Sequence, residues 1–183
     1  MAGRYHGYGL AERANLSTTV WIAGRILSDE GHTRRAGALP VAGDAVAAGI
    51  WRGAARRLID EGQAVLAELP LGNGRRADLV AIDRAATITI VEVKSCRADF
   101  VADRKWQAYL AFCDRFYFAV DRDFPAALLP AGEGLIVADR FAGEIVREAP
   151  LRPLGAARRK AMLLRFARLA ASRLQASLHR VIV

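Results

Sequence analysis

Acidic residues are missing from the end of this chain: no Asp or Glu follows Glu148, while Arg152, Arg158, Arg159, Lys160, Arg165, Arg168, Arg173 and Arg180 all do. Cysteine is scarce as well. Cys96 and Cys113 form no CxxC pair, so neither a disulfide framework nor a zinc site has support, and two buried, reduced thiols are expected. His6, His32 and His179 stand alone, outside any HExxH or His-plus-carboxylate spacing, and receive no role. The absence of a GxxxxGK[ST] loop excludes a P-loop ATPase. No apolar run approaches the roughly 18 to 20 residues of a membrane span. The first residues also lack a basic-then-apolar leader with a small-residue cleavage site, which predicts a cytoplasmic protein.

What is present suits one folded unit. The chain has 183 residues, 53% of them hydrophobic, enough to bury a substantial core. Its 27 Lys and Arg against 19 Asp and Glu give a net charge of +8, which points to a polyanionic partner, since clustered cations bind phosphates by releasing counterions. Residues 1–44 show no sustained period of 2 or 3.6 and read as a loosely ordered extension. Residues 45–183 read as the folded domain.

Within that domain the pattern is explicit. "DAVAAGIWRGAARRLIDEG" carries Val46, Ile50, Ala54 and Leu58 at helical spacing after a candidate cap, Asp44. "AVLAELPL" and "RADLVAID" read as strands around the turn "GNG", and only "RAA" at 84–86 separates the second from "TITIVEVKS". So short a gap favours an antiparallel meander. "ADFVADRKWQAYLAFCD" then reads as one helix capped by Asp99 or Ser95, "RFYFAV" as a buried strand, and "GLIVAD" with "GEIVREA" as a later pair. From Gly155 to about Arg180 a long helix is expected to bury Met162, Phe166, Leu169 or Ala170, and Leu174, with its arginines outside. The fold class is therefore α/β: a mixed sheet flanked by helices, with a long basic C-terminal helix.

The stretch "ITIVEVKS" poses the chemical question, because a strand otherwise composed for burial carries Glu92 and Lys94 on one face. If Asp83 pairs with Thr87 across "RAA", paired residue numbers sum to 170 and Asp78 stands directly opposite Glu92, where Cβ atoms lie about 4.5 to 5.5 Å apart. A slip of one residue would send Asp78 to the other face. In the expected register two carboxylates and an ammonium converge. Unpaired, desolvated acids would repel, and a divalent cation removes the conflict: carboxylate oxygens suit Mg²⁺ or Mn²⁺, and Lys94 beside them suits holding a water or a phosphoryl oxygen. The plainer reading of the same residues is a salt bridge on a solvated sheet face.

Taken in order, "GRRADLVAIDRAATITIVEVKSCRADFVADRKWQAYLAFCDRFYFAV", "LLPAGEGLIVADRFAGEIVREAP" and "ARRKAMLLRFARLAA" resemble the PD-(D/E)xK nuclease superfamily, and more closely the MmcB family of bacterial DNA-repair proteins. The likeness runs from about residue 46 to the C-terminus. It implies an αβββαβ core, a restriction-endonuclease-like arrangement, acting on DNA phosphodiesters in the cytoplasm at the nucleoid. Carried over by position, Asp78 and Glu92 would be metal ligands, the Val93 carbonyl a third, and Lys94 the catalytic lysine, with Mg²⁺ or Mn²⁺ as cofactor. The proline of the superfamily motif is Ala77 here. The acid that relatives often place on the first helix has no clear equivalent, since Asp60 and Glu61 lie at that helix's end, so Glu68 on the first strand is the preferred auxiliary acid.

Around this centre Arg75 and Arg76 flank the turn leading to Asp78 and suit bidentate phosphate contacts. Lys105, Gln107 and Tyr109 could reach a DNA backbone or the site, while Trp106 and Tyr109 read equally as packing. Positions 158, 165 and 168 or 169 recur near helical spacing as a DNA-tracking stripe, and Arg158, Arg159 and Arg165 are the expected nucleic-acid contacts there. The rival to a metal-dependent DNA endonuclease is a catalytically inactive DNA-binding module that retains the fold as a scaffold for repair partners.

Overall fold

The computed structural model describes residues 42–102 and 105–182, so the expected extension lies outside the described residues except for its last three. In chain order these form helix α1 (Ala42–Asp60), strands β1 (Ala64–Pro70), β2 (Arg76–Ile82) and β3 (Ile88–Val93), helix α2 (Arg97–Ala102), a 3₁₀ segment (Trp106–Phe112), β4 (Arg115–Val120), a 3₁₀ turn (Ala126–Leu128), β5 (Gly134–Ala138), β6 (Gly143–Arg147) and helix α3 (Ala156–Ile182). One mixed sheet runs in the order β1 to β6. The first three strands are antiparallel, β3, β4 and β5 are parallel neighbours, and β6 closes antiparallel to β5.

The meander forms in the anticipated register, with Ile82 opposite Ile88 and Leu79 opposite Val91. No glycine is needed at its turn. Ala86 takes the left-handed conformation at φ 62, and Asp83 Oδ1 accepts the amides of Ala85 and Thr87, each at 2.8 Å. An Asx-type turn thus fixes what "RAA" alone leaves open.

Strands β3 and β4 are buried on both faces, which explains their nearly unbroken apolar sequences. On one face α1 lays Ile50, Ala54 and Leu58 against Leu79, Val91, Tyr117 and Ile136. Gly53 lets it approach closely, because a Cβ there would strike the carbonyls of Asp139 and Ala142. On the other face Leu69, Val80, Ile90, Phe116 and Phe118 are covered by Tyr109, Cys113 and Met162.

Four expectations are corrected. Of the two thiols expected to be buried, Cys113 is, but Cys96 is exposed. Helix α1 begins at Ala42, so Asp44 lies inside it rather than capping it, and Val46 is 41% exposed. The single helix expected over 98–114 is instead the short α2 and a separate 3₁₀ segment. The tighter winding nearly eclipses residues three apart, so Trp106 and Tyr109 both stack on Phe116, with ring centroids 5.6 and 6.0 Å from it. In α3, Met162 is buried and Phe166 and Leu169 pack on the core, but Leu174 is 60% exposed. Arg173 turns inward at that level and donates to the Ala67 carbonyl at 2.6 Å. Arg159 also points inward, against the expectation that the arginines stay outside.

Candidate active site

Strands β2 and β3 part just beyond Leu79 and Val91, and the candidate site lies in that opening. Asp78 and Glu92 would form the next pair. Asp78 Oδ2 accepts the Val93 amide at 2.8 Å, so a side chain occupies the place of a β2 carbonyl. Across β3 the parallel ladder to β4 continues, and the Lys94 amide donates to the Ala119 carbonyl at 2.9 Å. Because the Val93 N–H faces β2, its carbonyl, in an extended residue, faces the same way. Trp51 on α1 donates to the Asp78 main-chain carbonyl at 3.4 Å and braces the acid from behind.

Glu92 and Lys94 share the opposite wall. They are 6% and 3% exposed, and Lys94 Nζ stands 3.5 Å from Glu92 Oε1. The Tyr109 hydroxyl lies 3.3 Å from the same oxygen and 3.2 Å from the Arg76 carbonyl. A strand built for burial therefore tolerates two charges because they meet each other and a phenol. Burial pushes the Asp78 carboxyl above its ordinary value; the Val93 amide, Lys94 and Arg76 pull it down only in part, and Glu68 adds to the rise.

Glu68 comes from the neighbouring strand. Ala67 pairs with Leu79 and Leu69 with Ala77, which sets Glu68 across from Asp78. Its backbone is left-handed at φ 50, and its carboxylate lies 3.3 Å from the Arg76 guanidinium. Asp78, Glu92 and the Val93 carbonyl are the oxygens that could hold a divalent ion. Among the described residues no three His, Cys, Asp or Glu side chains cluster closely enough for a metal cage. Two carboxylates and a carbonyl nevertheless suit an ion such as Mg²⁺, which keeps much of its own water and needs few protein ligands.

Of the residues expected to touch nucleic acid, Arg75, Lys105 and Gln107 come together with Asn73 around a cleft of about 590 Å³. The Arg75 guanidinium lies over the Tyr109 ring, 5.5 Å from its centroid, which links this cleft to Glu92. Arg158 and Arg165 are exposed and line a second cleft, of about 660 Å³, with Gly72 and Phe112. Arg76 instead meets Glu68, and Arg159 is tied to Asp114 at 2.7 Å.

Sequence reasoning weighed Tyr109 equally between the site and packing, and passed over Trp51 and Asp114. The signal for Tyr109 is its offset of three from Trp106, which becomes informative only once the segment is known to be 3₁₀. Asp114 sits between a buried Cys113 and a buried strand, where an isolated acid needs a partner.

Comparison with known proteins gives a consistent family. The family model for DNA repair protein MmcB-like matches residues 41–180. Among solved structures, the SPO1766 protein of unknown function from Silicibacter pomeroyi is 47% identical and superposes with a TM-score of 0.68, over 71% of this chain and 89% of that one. No curated protein matches.

Proposed function

Because this chain belongs to the MmcB-like DNA repair family, we propose that it is a metal-dependent nuclease that hydrolyses DNA phosphodiester bonds. The observation carrying this reading is the buried Glu92–Lys94 pair just past the end of the β2–β3 ladder, with Asp78 on the facing strand bonded to the Val93 amide. Such a grouping is costly in a scaffold and useful at a phosphate. The element order, one helix, three antiparallel strands, a helical crossover and a parallel strand, supports the PD-(D/E)xK comparison.

Asp78, Glu92 and the Val93 carbonyl would hold Mg²⁺ or Mn²⁺. The ion supplies positive charge at the scissile phosphate and lowers the pKa of water nearby. Lys94 orients a water for in-line attack and lends its charge to the phosphate. The water oxygen forms the new bond to phosphorus as it gives up a proton to solvent, and the ester oxygen leaves from the opposite side, taking a proton from solvent to become a hydroxyl. Tyr109 holds Glu92 in place, Glu68 serves as the auxiliary acid, and the Arg75–Lys105–Gln107 cleft holds the DNA backbone beside the site.

One observation favours a second reading. Glu92 Oε1 is already engaged by Lys94 and Tyr109, as in a metal-free DNA-binding module kept for repair assemblies. Incubation with nicked, branched, single-stranded and duplex DNA in Mn²⁺ or EDTA separates the two. Cleavage in Mn²⁺ that is lost in Lys94→Ala supports the nuclease; mobility shifts with no products in any metal support the module.

A further inference from the structure

Helix α3 carries a line of residues that neither the core nor the candidate site uses. Leu164, Ala167, Ala171, Leu174 and Leu178 follow one another at alternating intervals of three and four, the spacing of the a and d positions of a two-helix seam. All five are exposed, the leucines by 54, 60 and 55%. The line runs about 21 Å along the helix at 1.5 Å per residue. It opens at its first end into an apolar cleft of about 560 Å³ lined by Leu154, Leu163 and Leu164.

We propose that this seam docks an acidic amphipathic helix of a partner protein. The alanines let a second backbone come close and the leucines supply knobs, as helix-on-helix packing needs. Charge chooses the occupant. Lys160 heads the line, Arg168 borders it, and no acid follows Glu148, so Glu or Asp beside a partner's apolar stripe would find only cations. A second copy of this chain would bring like charges to the same seam. DNA phosphates would instead be drawn to Arg158 and Arg165, which line the cleft beside Gly72 and Phe112, and leucines offer them nothing. A lipid surface favours a continuous bulky face of Trp, Phe or Leu, and this line is interrupted by Ala167 and Ala171. The inference does not depend on chemistry at Asp78.

The test uses the full chain and a synthetic three-heptad peptide with Leu at a and d and Glu at e and g, read by fluorescence anisotropy. One control peptide replaces Leu by Ser and another replaces Glu by Lys. The acidic leucine peptide is expected to bind, both controls to bind at least about tenfold more weakly, and the Leu164→Ser/Leu174→Ser chain to lose about tenfold or more while its melting temperature stays unchanged. Equal binding of the leucine and serine peptides, full affinity in the double variant, or no binding at all would overturn the proposal. So would sedimentation showing a dimer of the chain itself that the double variant dissociates, or anionic vesicles retained through the same leucines.

Discussion

Asp78 Oδ2 accepts the Val93 amide proton across 2.8 Å, joining the acid of one strand to the backbone of the next where their ladder has ended. Asparagine can keep that acceptor and lose only the charge, so Asp78→Asn isolates the carboxylate. Burial raises the Asp78 carboxyl above its ordinary range despite Val93, Lys94 and Arg76. A raised acid favours the fold most while protonated, below its unfolded pKa of about 3.9, and loses that advantage as pH rises through the folded value. In EDTA, Asp78→Asn should therefore melt above the wild type at pH 8, with the gap closing at pH 4. Mn²⁺ should stabilise the wild type at pH 8 by mass action and leave the variant unmoved. A wild type whose melting ignores Mn²⁺ would remove the ligand role.

Tyr109→Phe tests the phenol that the sequence left between the site and packing. The ring keeps its stack on Phe116, while Glu92 Oε1 and the Arg76 carbonyl lose a neighbour at 3.3 and 3.2 Å. The fold should hold, and cleavage should fall about tenfold, the scale of one hydrogen bond to a charged group. Because Tyr109 acts through Glu92, the loss should appear together with weaker Mn²⁺ binding in calorimetry. A drop in cleavage at unchanged Mn²⁺ affinity would place its role elsewhere.

The basic residues separate into two kinds. Arg75 and Lys105 border one cleft, whereas Arg159 is committed to Asp114. Removing Arg75 or Lys105 should weaken DNA binding uniformly across sequences and lower the slope of log affinity against log salt by about one each. Arg159→Ala should instead appear in the melting temperature, with the salt slope of the remaining folded protein unchanged. Anisotropy titrations between 50 and 200 mM salt, a range over which phosphate contacts change affinity by about a thousandfold or more, distinguish the two patterns.

The register that pairs Ile82 with Ile88 and Leu79 with Val91 was legible because strand period, turn length and burial all constrain the same count of residues, and a slip would have buried the wrong face. Asp78, Glu92 and Lys94 could be singled out as candidates for that reason. Less legible was anything decided by contacts distant in sequence. The 3₁₀ winding of Trp106–Phe112 follows from two rings sharing Phe116, and helical propensity alone favours the regular helix. The inward turn of Arg159 and Arg173 depends on Asp114 and on the Ala67 carbonyl, 45 and 106 residues away, and periodicity cannot register either partner.

Asp114 offers the strongest stability test. Its side chain is 1% exposed, and its two oxygens accept Arg159 twice at 2.7 Å, the Leu154 amide at 2.7 Å and the Ile88 amide at 2.8 Å. It thereby ties the start of β3 and the approach to α3 to the start of β4. Burial opposes its charge, but the Arg159 bonds and the two amides outweigh burial and hold the carboxyl below its usual range. Asp114→Ala should cost about 3 kcal/mol or more, since it leaves a guanidinium and two amides without their acceptor. The depressed value makes its contribution fully present above the unfolded pKa of about 3.9 and lost as pH falls through the folded one. Urea unfolding at pH 7 and pH 3 should therefore show the wild type losing stability on acidification more steeply than Asp114→Ala. Parallel losses in the two proteins would mean that the acid's charge contributes nothing to the fold.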